Sequence, residues 1–253
     1  MESEMRFIFL QTFRILLREK ILFNIFGITL LLLLFGYLAS LLVYGSQDRV
    51  MQDLGLMVNA ISIFGVASSL GARLMRQEIE SKSIYLLLTR PISRTTFFMG
   101  RFLGMLFFVA LNFSILSFIL ALYVKYIGGT FSLAFLQSAT LTLIEAGVLL
   151  ALSQLLSFWL RPGLVLMMVF AFVFLGHNHD LIQSLQLNPA TNSPLFSFLS
   201  SVVPRFNLFL MADRVFYEES LSVQEISKVA AYGMIWIFMF LITGNAVFSR
   251  KNL

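Results

Sequence analysis

The chain has 253 residues, 58% of them hydrophobic and only 12% charged, with a mean hydropathy of +0.87 and a net charge of +5. Soluble domains carry roughly 25% charged residues, so there is too little charge here to cover a water-facing surface, and the composition is that of an integral membrane protein. The absence of cysteine excludes disulfides and thiolate metal sites.

Residues 1–20 form the first element. Gln11, Arg14 and Arg18 recur at the spacing of one helical face, while Phe9, Phe13, Leu16 and Leu17 fall mainly on another. A basic amphipathic helix of this kind lies in the cytoplasmic interface; the plainer alternative is the charged start of the first span. A span needs about 20 mostly apolar residues. Runs of that kind occupy about 21–44, 54–74, 97–126, 131–160 and 229–248. The first, with no charge over 24 residues, exceeds the 7–15 typical of a signal peptide's apolar region, which predicts a retained anchor. A fifth element at about 162–180 has a shorter apolar stretch and either spans with help from its polar end or is re-entrant. The expected architecture is therefore a single all-α membrane domain over 1–253 with six transmembrane helices.

Lys and Arg orient these spans. With both termini cytoplasmic, thirteen of the eighteen fall on inner segments and five (Arg49, Lys125, Arg205, Arg214, Lys228) on outer ones. The distribution thus suits a membrane rather than nucleic acid. The outer segment 180–228 carries "SPLFSFLSSVVPRFNLFL", apolar and cut by Pro194 and Pro204. It predicts either short helices dipping into the outer leaflet over a cavity or a small cap packed on itself. Ser222 with Glu225 forms a capping-box pattern, with Leu221 and Ile226 at the staple positions, so the last helix is expected to begin near Val223.

Inside the spans, Glu145 is the one deep carboxylate, and burial demands that it face the bundle interior, be protonated or find a partner. It is a candidate for the transport pathway or for packing, as are Asn59, Asn112 and Gln154. Gly100 and Gly104 form a small-residue pair that lets helices approach closely. His177 and His179 stand near the outer surface without the neighbours a metal site needs. Charge is densest in "RQEIESKSIYLLLTRPISRTTFFMGRFLG", residues 76–104. Residues 77–88 can form a short helix with Glu78 and Lys82 four apart and Ile84, Leu87 and Leu88 on one stripe. Pro91 disfavours helix at Arg90, and Ser93 is a plausible N-cap for the third span.

This stretch resembles the signature of permease subunits of type-2 ATP-binding-cassette exporters, especially those similar to the nitrous-oxide-reductase maturation permease. The resemblance rests on Glu78 or Glu80, on Leu87 and Leu88, on Thr89-Arg90-Pro91-Ile92-Ser93-Arg94, and on Gly100-Arg101-Phe102-Leu103-Gly104. "VVPRFNLF" and the terminal "FSRKNL" resemble further parts of the family, while Lys82-Ser83 departs from its usual Gly-Thr. The resemblance implies that loop 75–96 is a cytoplasmic coupling helix seated in a separate ATPase. Glu78, Glu80, Lys82, Ile84, Leu87, Leu88, Thr89, Arg90, Pro91 and Arg94 would make that contact. It also implies a dimer with a second permease copy in a bacterial inner membrane. The chain has no G-x-x-x-x-G-K-[ST] phosphate cradle, so no cofactor is expected in it; ATP and Mg would belong to the ATPase. The competing expectation is a secondary transporter or channel-like protein with Glu145 as its coupling group.

Overall fold

A computed structural model describes residues 2–18, 47–80, 93–129, 133–187, 194–210 and 220–250, with 27, 30, 31, 34–36 and 38. The elements are α1 (Glu2–Arg18), α2 (Gln47–Glu80), α3 (Arg94–Tyr126), α4 (Leu133–Leu156), α5 (Pro162–His177), α6 (His179–Leu187), α7 (Pro194–Val202), a 3-10 turn (Phe206–Phe209) and α8 (Val223–Arg250). Among the described residues no strand occurs, and four helices are long and apolar enough to cross a membrane: Asp48–Gln77, Arg94–Tyr126, Leu133–Leu156 and Val223–Arg250. The first expected span, 21–44, lies mostly outside the described residues. Those described within it are helical, and Gly36 is buried beside Met51 and Tyr123.

Several boundaries differ from the sequence expectation, each for a local reason. The second helix is far longer than 54–74: it runs unbroken over 34 residues, because 47–53 and 75–80 are polar but contain neither Gly nor Pro to stop it. Residues 77–80 are therefore its last turn and not the start of a separate short helix. The fourth helix ends at Leu156 rather than 160. There Phe158 N and Trp159 N turn back to the carbonyls of Leu155 and Leu156 at 3.4 and 3.1 Å, the tightened geometry of a helix end, and Pro162 then opens α5. The fifth helix stops at His177 rather than 180. Asn178 ends it by donating from Nδ2 to the Phe174 carbonyl at 2.8 Å, with its backbone N–H on the same oxygen. At 16 residues, α5 rises about 24 Å, short of the roughly 30 Å hydrocarbon core.

One end of the bundle joins α3, α4 and α8. Phe98, Phe158 and Phe248 stack with centroids 5.9–6.1 Å apart, Phe97 adds to Phe248 at 6.2 Å, and Arg94 Nη1 donates to the Ser249 carbonyl at 3.1 Å. Ser93 caps α3 here, its hydroxyl accepting from Thr96 N at 3.1 Å. At the other end the described parts of 180–228 fold onto the bundle: Phe206 and Phe209 are buried in the core, and the Gln137 side chain exchanges two hydrogen bonds with the Leu221 backbone. The capping box of α8 is formed, with Glu225 Oε2 accepting from Ser222 N at 2.9 Å and Ser222 Oγ accepting from Glu225 N at 3.3 Å.

The amino-terminal helix is more than a surface feature. Ile8 and Met5 meet α3 at Gly100, Thr12 and Phe9 meet it at Gly104, and Phe13 packs edge-on against Phe107 and Phe108. Both helices advance in the same direction, so α1 runs lengthwise along α3. Its buried stripe is Ile8, Thr12 and Leu16, while Leu17, expected on the apolar face, is exposed with Phe7 and Leu10.

Candidate functional site

The described helices line a partly open cavity of about 400 Å³ between α2, α4, α5 and the 3-10 turn. Helical spacing builds its walls. Leu56, Met57, Ala60, Ile61 and Phe64 recur along one face of α2, with Asp53 at its end, and Ser138, Thr142 and Glu145 share a face of α4. Val173 and His177 come from α5, and Phe209 and Leu210 roof the space. A second, apolar furrow of about 520 Å³ continues from it between α2 and α5, sharing Ile61, Phe64 and Val173.

Glu145 and His177 meet at the polar end of this space. Glu145 is only 3% exposed, and its Oε1 lies 3.4 Å from His177 Nε2 without being aligned for a hydrogen bond. The imidazole is held from two sides: Nδ1 sits 3.0 Å from the Val173 carbonyl, and the ring stacks on Phe206 at 6.0 Å. Gly176 makes that stacking possible, since a side chain there would run into Phe206 and the Pro204 carbonyl. Sequence reading treated Glu145 and His177 separately. The available signal was hairpin symmetry: Glu145 lies 16 residues before Arg161 and His177 lies 16 after it. In two antiparallel helices joined by a tight turn, such positions come level.

The other candidate residues are distributed differently. Asn59 is buried and donates to Ser117 Oγ at 2.8 Å, tying α2 to α3. Asn112 and Gln154 are fully buried in α3 and α4 and lie outside the cavity lining. Lys82, Ile84, Leu87, Leu88, Thr89, Arg90 and Pro91 lie outside the described residues, while Glu78 and Glu80 fall in the last turn of α2. Arg94 reaches the end of α8. His179 turns away from His177 to the Ser200 carbonyl at 3.3 Å, and among the described residues no three His, Asp or Glu gather as a metal site.

Arg101, one of the inner-side cations and part of the Gly100–Gly104 motif in the sequence, is 2% exposed. It donates from Nη1 to Thr12 Oγ1 at 3.0 Å and lies 5.3 Å over the Phe97 ring, a cation–π arrangement. With Gly100 and Gly104 on either side, it forms the seat of α1.

No curated protein matches the sequence. The family model described as ABC-2 family transporter protein matches residues 14–178, which includes α2, α3, α4 and α5 and the cavity faces of α2, α4 and α5. The chain therefore belongs to the ABC-2 transporter family, as a multi-pass membrane permease whose family role is transport in partnership with an ABC ATPase, without an enzymatic activity of its own.

Proposed function

We propose that this chain is half of an ATP-driven exporter: a six-span permease that dimerises with a second copy and takes its power stroke from an ATPase docked on residues 76–94, where that partner binds ATP and Mg. The observation that carries the reading is the continuity of α2. One unbroken helix of 34 residues, about 51 Å long, has the cavity wall at 53–64 and the start of the docking loop at 80. Both sides of that loop are anchored: α2 leads into it, and α3 leaves it with Ser93 as cap and Arg94 tied to the end of α8. A push on the loop is therefore delivered to the helix that lines the cavity, without a hinge in between. The narrower likeness to the nitrous-oxide-reductase maturation class rests on the loop motif. In this reading Glu145 belongs to the pathway and is not the energy-coupling group of a secondary transporter.

The test is co-purification of the ATPase with the permease and stimulation of its ATP hydrolysis. Glu78→Lys and Leu87→Asp should each abolish both while leaving membrane insertion intact, because each alters an expected rim or apolar interface position. Docking and stimulation that survive both substitutions would reject the coupling role.

A further inference from the structure

The chemistry of the Glu145–His177 pair, combined with the furrow that leads to it, points to a class of ligand. His177 Nδ1 is 3.0 Å from the Val173 carbonyl; a carbonyl only accepts, so Nδ1 carries a proton. A neutral imidazole then turns the lone pair of Nε2 toward Glu145 Oε1, 3.4 Å away. Oε1 is buried and accepts no hydrogen bond. With Glu145 ionised, two acceptors face each other at the wall of an otherwise largely apolar cavity, and a group bearing several N–H donors would satisfy both.

The furrow supplies the other half of the ligand. It is lined by Ile61, Phe64, Gly65, Leu166, Met167 and Phe170. Ile61, Met167 and Phe170 are 61, 70 and 71% exposed, so it opens sideways from the bundle. From Leu166 to His177 the helix advances about 16 Å, half of the roughly 30 Å hydrocarbon core and so the depth of one leaflet. Apolar length of one leaflet ending in an acceptor pair matches a molecule with a hydrocarbon tail and a cationic head.

We infer that the furrow and cavity together bind an amphiphile, its tail between α2 and α5 and its N–H-bearing cationic head at Glu145 and His177. This rests on the pathway reading above and assigns its substrate class. Charge-assisted donation to a carboxylate is roughly twice as strong as a neutral hydrogen bond, so the head should set the preference among ligands of equal tail.

The experiment uses the permease in phosphatidylcholine nanodiscs without ATPase, with tritiated dodecylamine as probe in a proximity assay and dodecanol and dodecyl sulfate as competitors. Unlabelled dodecylamine should displace the probe at about tenfold lower concentration than dodecanol. Dodecyl sulfate should be the weakest competitor. Glu145→Gln should remove the preference for amine over alcohol, and Phe64→Ala should weaken both. Should Glu145→Gln not assemble, Glu145→Asp and the wild-type ranking still decide. Equal displacement by amine and alcohol would overturn the inference. So would a preference that persists in Glu145→Gln, or a furrow closed by a second copy, read as Phe170→Cys cross-links between protomers with no probe bound. Because no ATPase is present, failure here leaves the coupling reading to its own co-purification test.

Discussion

Two sides of the bundle use the same kinds of residue to opposite ends. Where α1 lies along α3, glycine brings backbones together: a Cβ at Gly104 would stand 2.7 Å from Thr12 Cβ, and one at Gly100 3.0 Å from Ile8. The cation buried there, Arg101, is bound to Thr12 and covers an aromatic ring. Where α2 faces α5, Gly65 has nothing within 4 Å, the furrow stays open, and the buried carboxylate has only a misaligned neighbour. Close packing around a hydrogen-bonded cation makes a fixed joint. Open packing beside a carboxylate without an aligned partner leaves room for a ligand.

The contrast appears within α2 itself, and breaking it there should give the largest effect. At Gly71 an added methyl would overlap Ser153 Oγ and stand 2.9 Å from both Gln154 N and the Leu150 carbonyl oxygen. Two of those atoms are backbone and cannot swing aside, so Gly71→Ala forces α2 and α4 apart. A loss of about 3 kcal/mol is expected, read as a lowered thermal midpoint in detergent. Gly65→Ala, less than two turns away, meets open space. It should be neutral or raise stability by up to about 1 kcal/mol through helix propensity. Equal melting of the two variants would contradict the packing difference between the two flanks.

Arg101→Ala is the next step down and sharpens the comparison on the α1 side. It removes the hydrogen bond to Thr12, the stacking on Phe97 and a buried stem, for an expected loss of about 2–3 kcal/mol. Limited proteolysis should then cut within α1 before the remainder unfolds. Arg101→Lys should recover little, since a point charge cannot reproduce the planar group over the ring. Thr12→Val should cost about 1 kcal/mol. If α1 remains protected in Arg101→Ala, its seat is made by Gly100 and Gly104 alone.

Local signals in the sequence carried the helix starts well. Ser93 and the Ser222–Glu225 pair name their caps because capping needs only residues three apart. Helix ends were less legible. Apolar runs continue past Leu156 and the expected fifth span past His177, and what stops them is a backbone turn before Pro162 and the side chain of Asn178. The extension of α2 to Glu80 was hidden for the opposite reason: charge marks where hydrocarbon ends, not where a helix ends. The site was half legible. Burial cost singled out Glu145, but its neighbour follows from the level at which α5 stops. Arg101 was tallied with the loop cations because a charge count has no depth, whereas two turns into α3 it is buried.

The smallest expected effect tests whether the entrance to α8 behaves as a fixed joint or shares the looseness of the furrow. Ser222 Oγ accepts from Glu225 N at 3.3 Å and also donates to Glu225 Oε2 at 2.8 Å, all on the exposed surface. Ser222→Ala removes one N-cap partner and should cost about 1 kcal/mol. The Gln137 amide grips Leu221 independently of that cap, so α8 should fray only in its first turn. Hydrogen exchange should therefore rise at Gln224 and Glu225 and stay unchanged from Val229 onward. Exchange that spreads beyond Val229 would mean that the cap, and not the Gln137 clamp, holds α8 against α4, and would move this end of the bundle to the mobile side of the comparison.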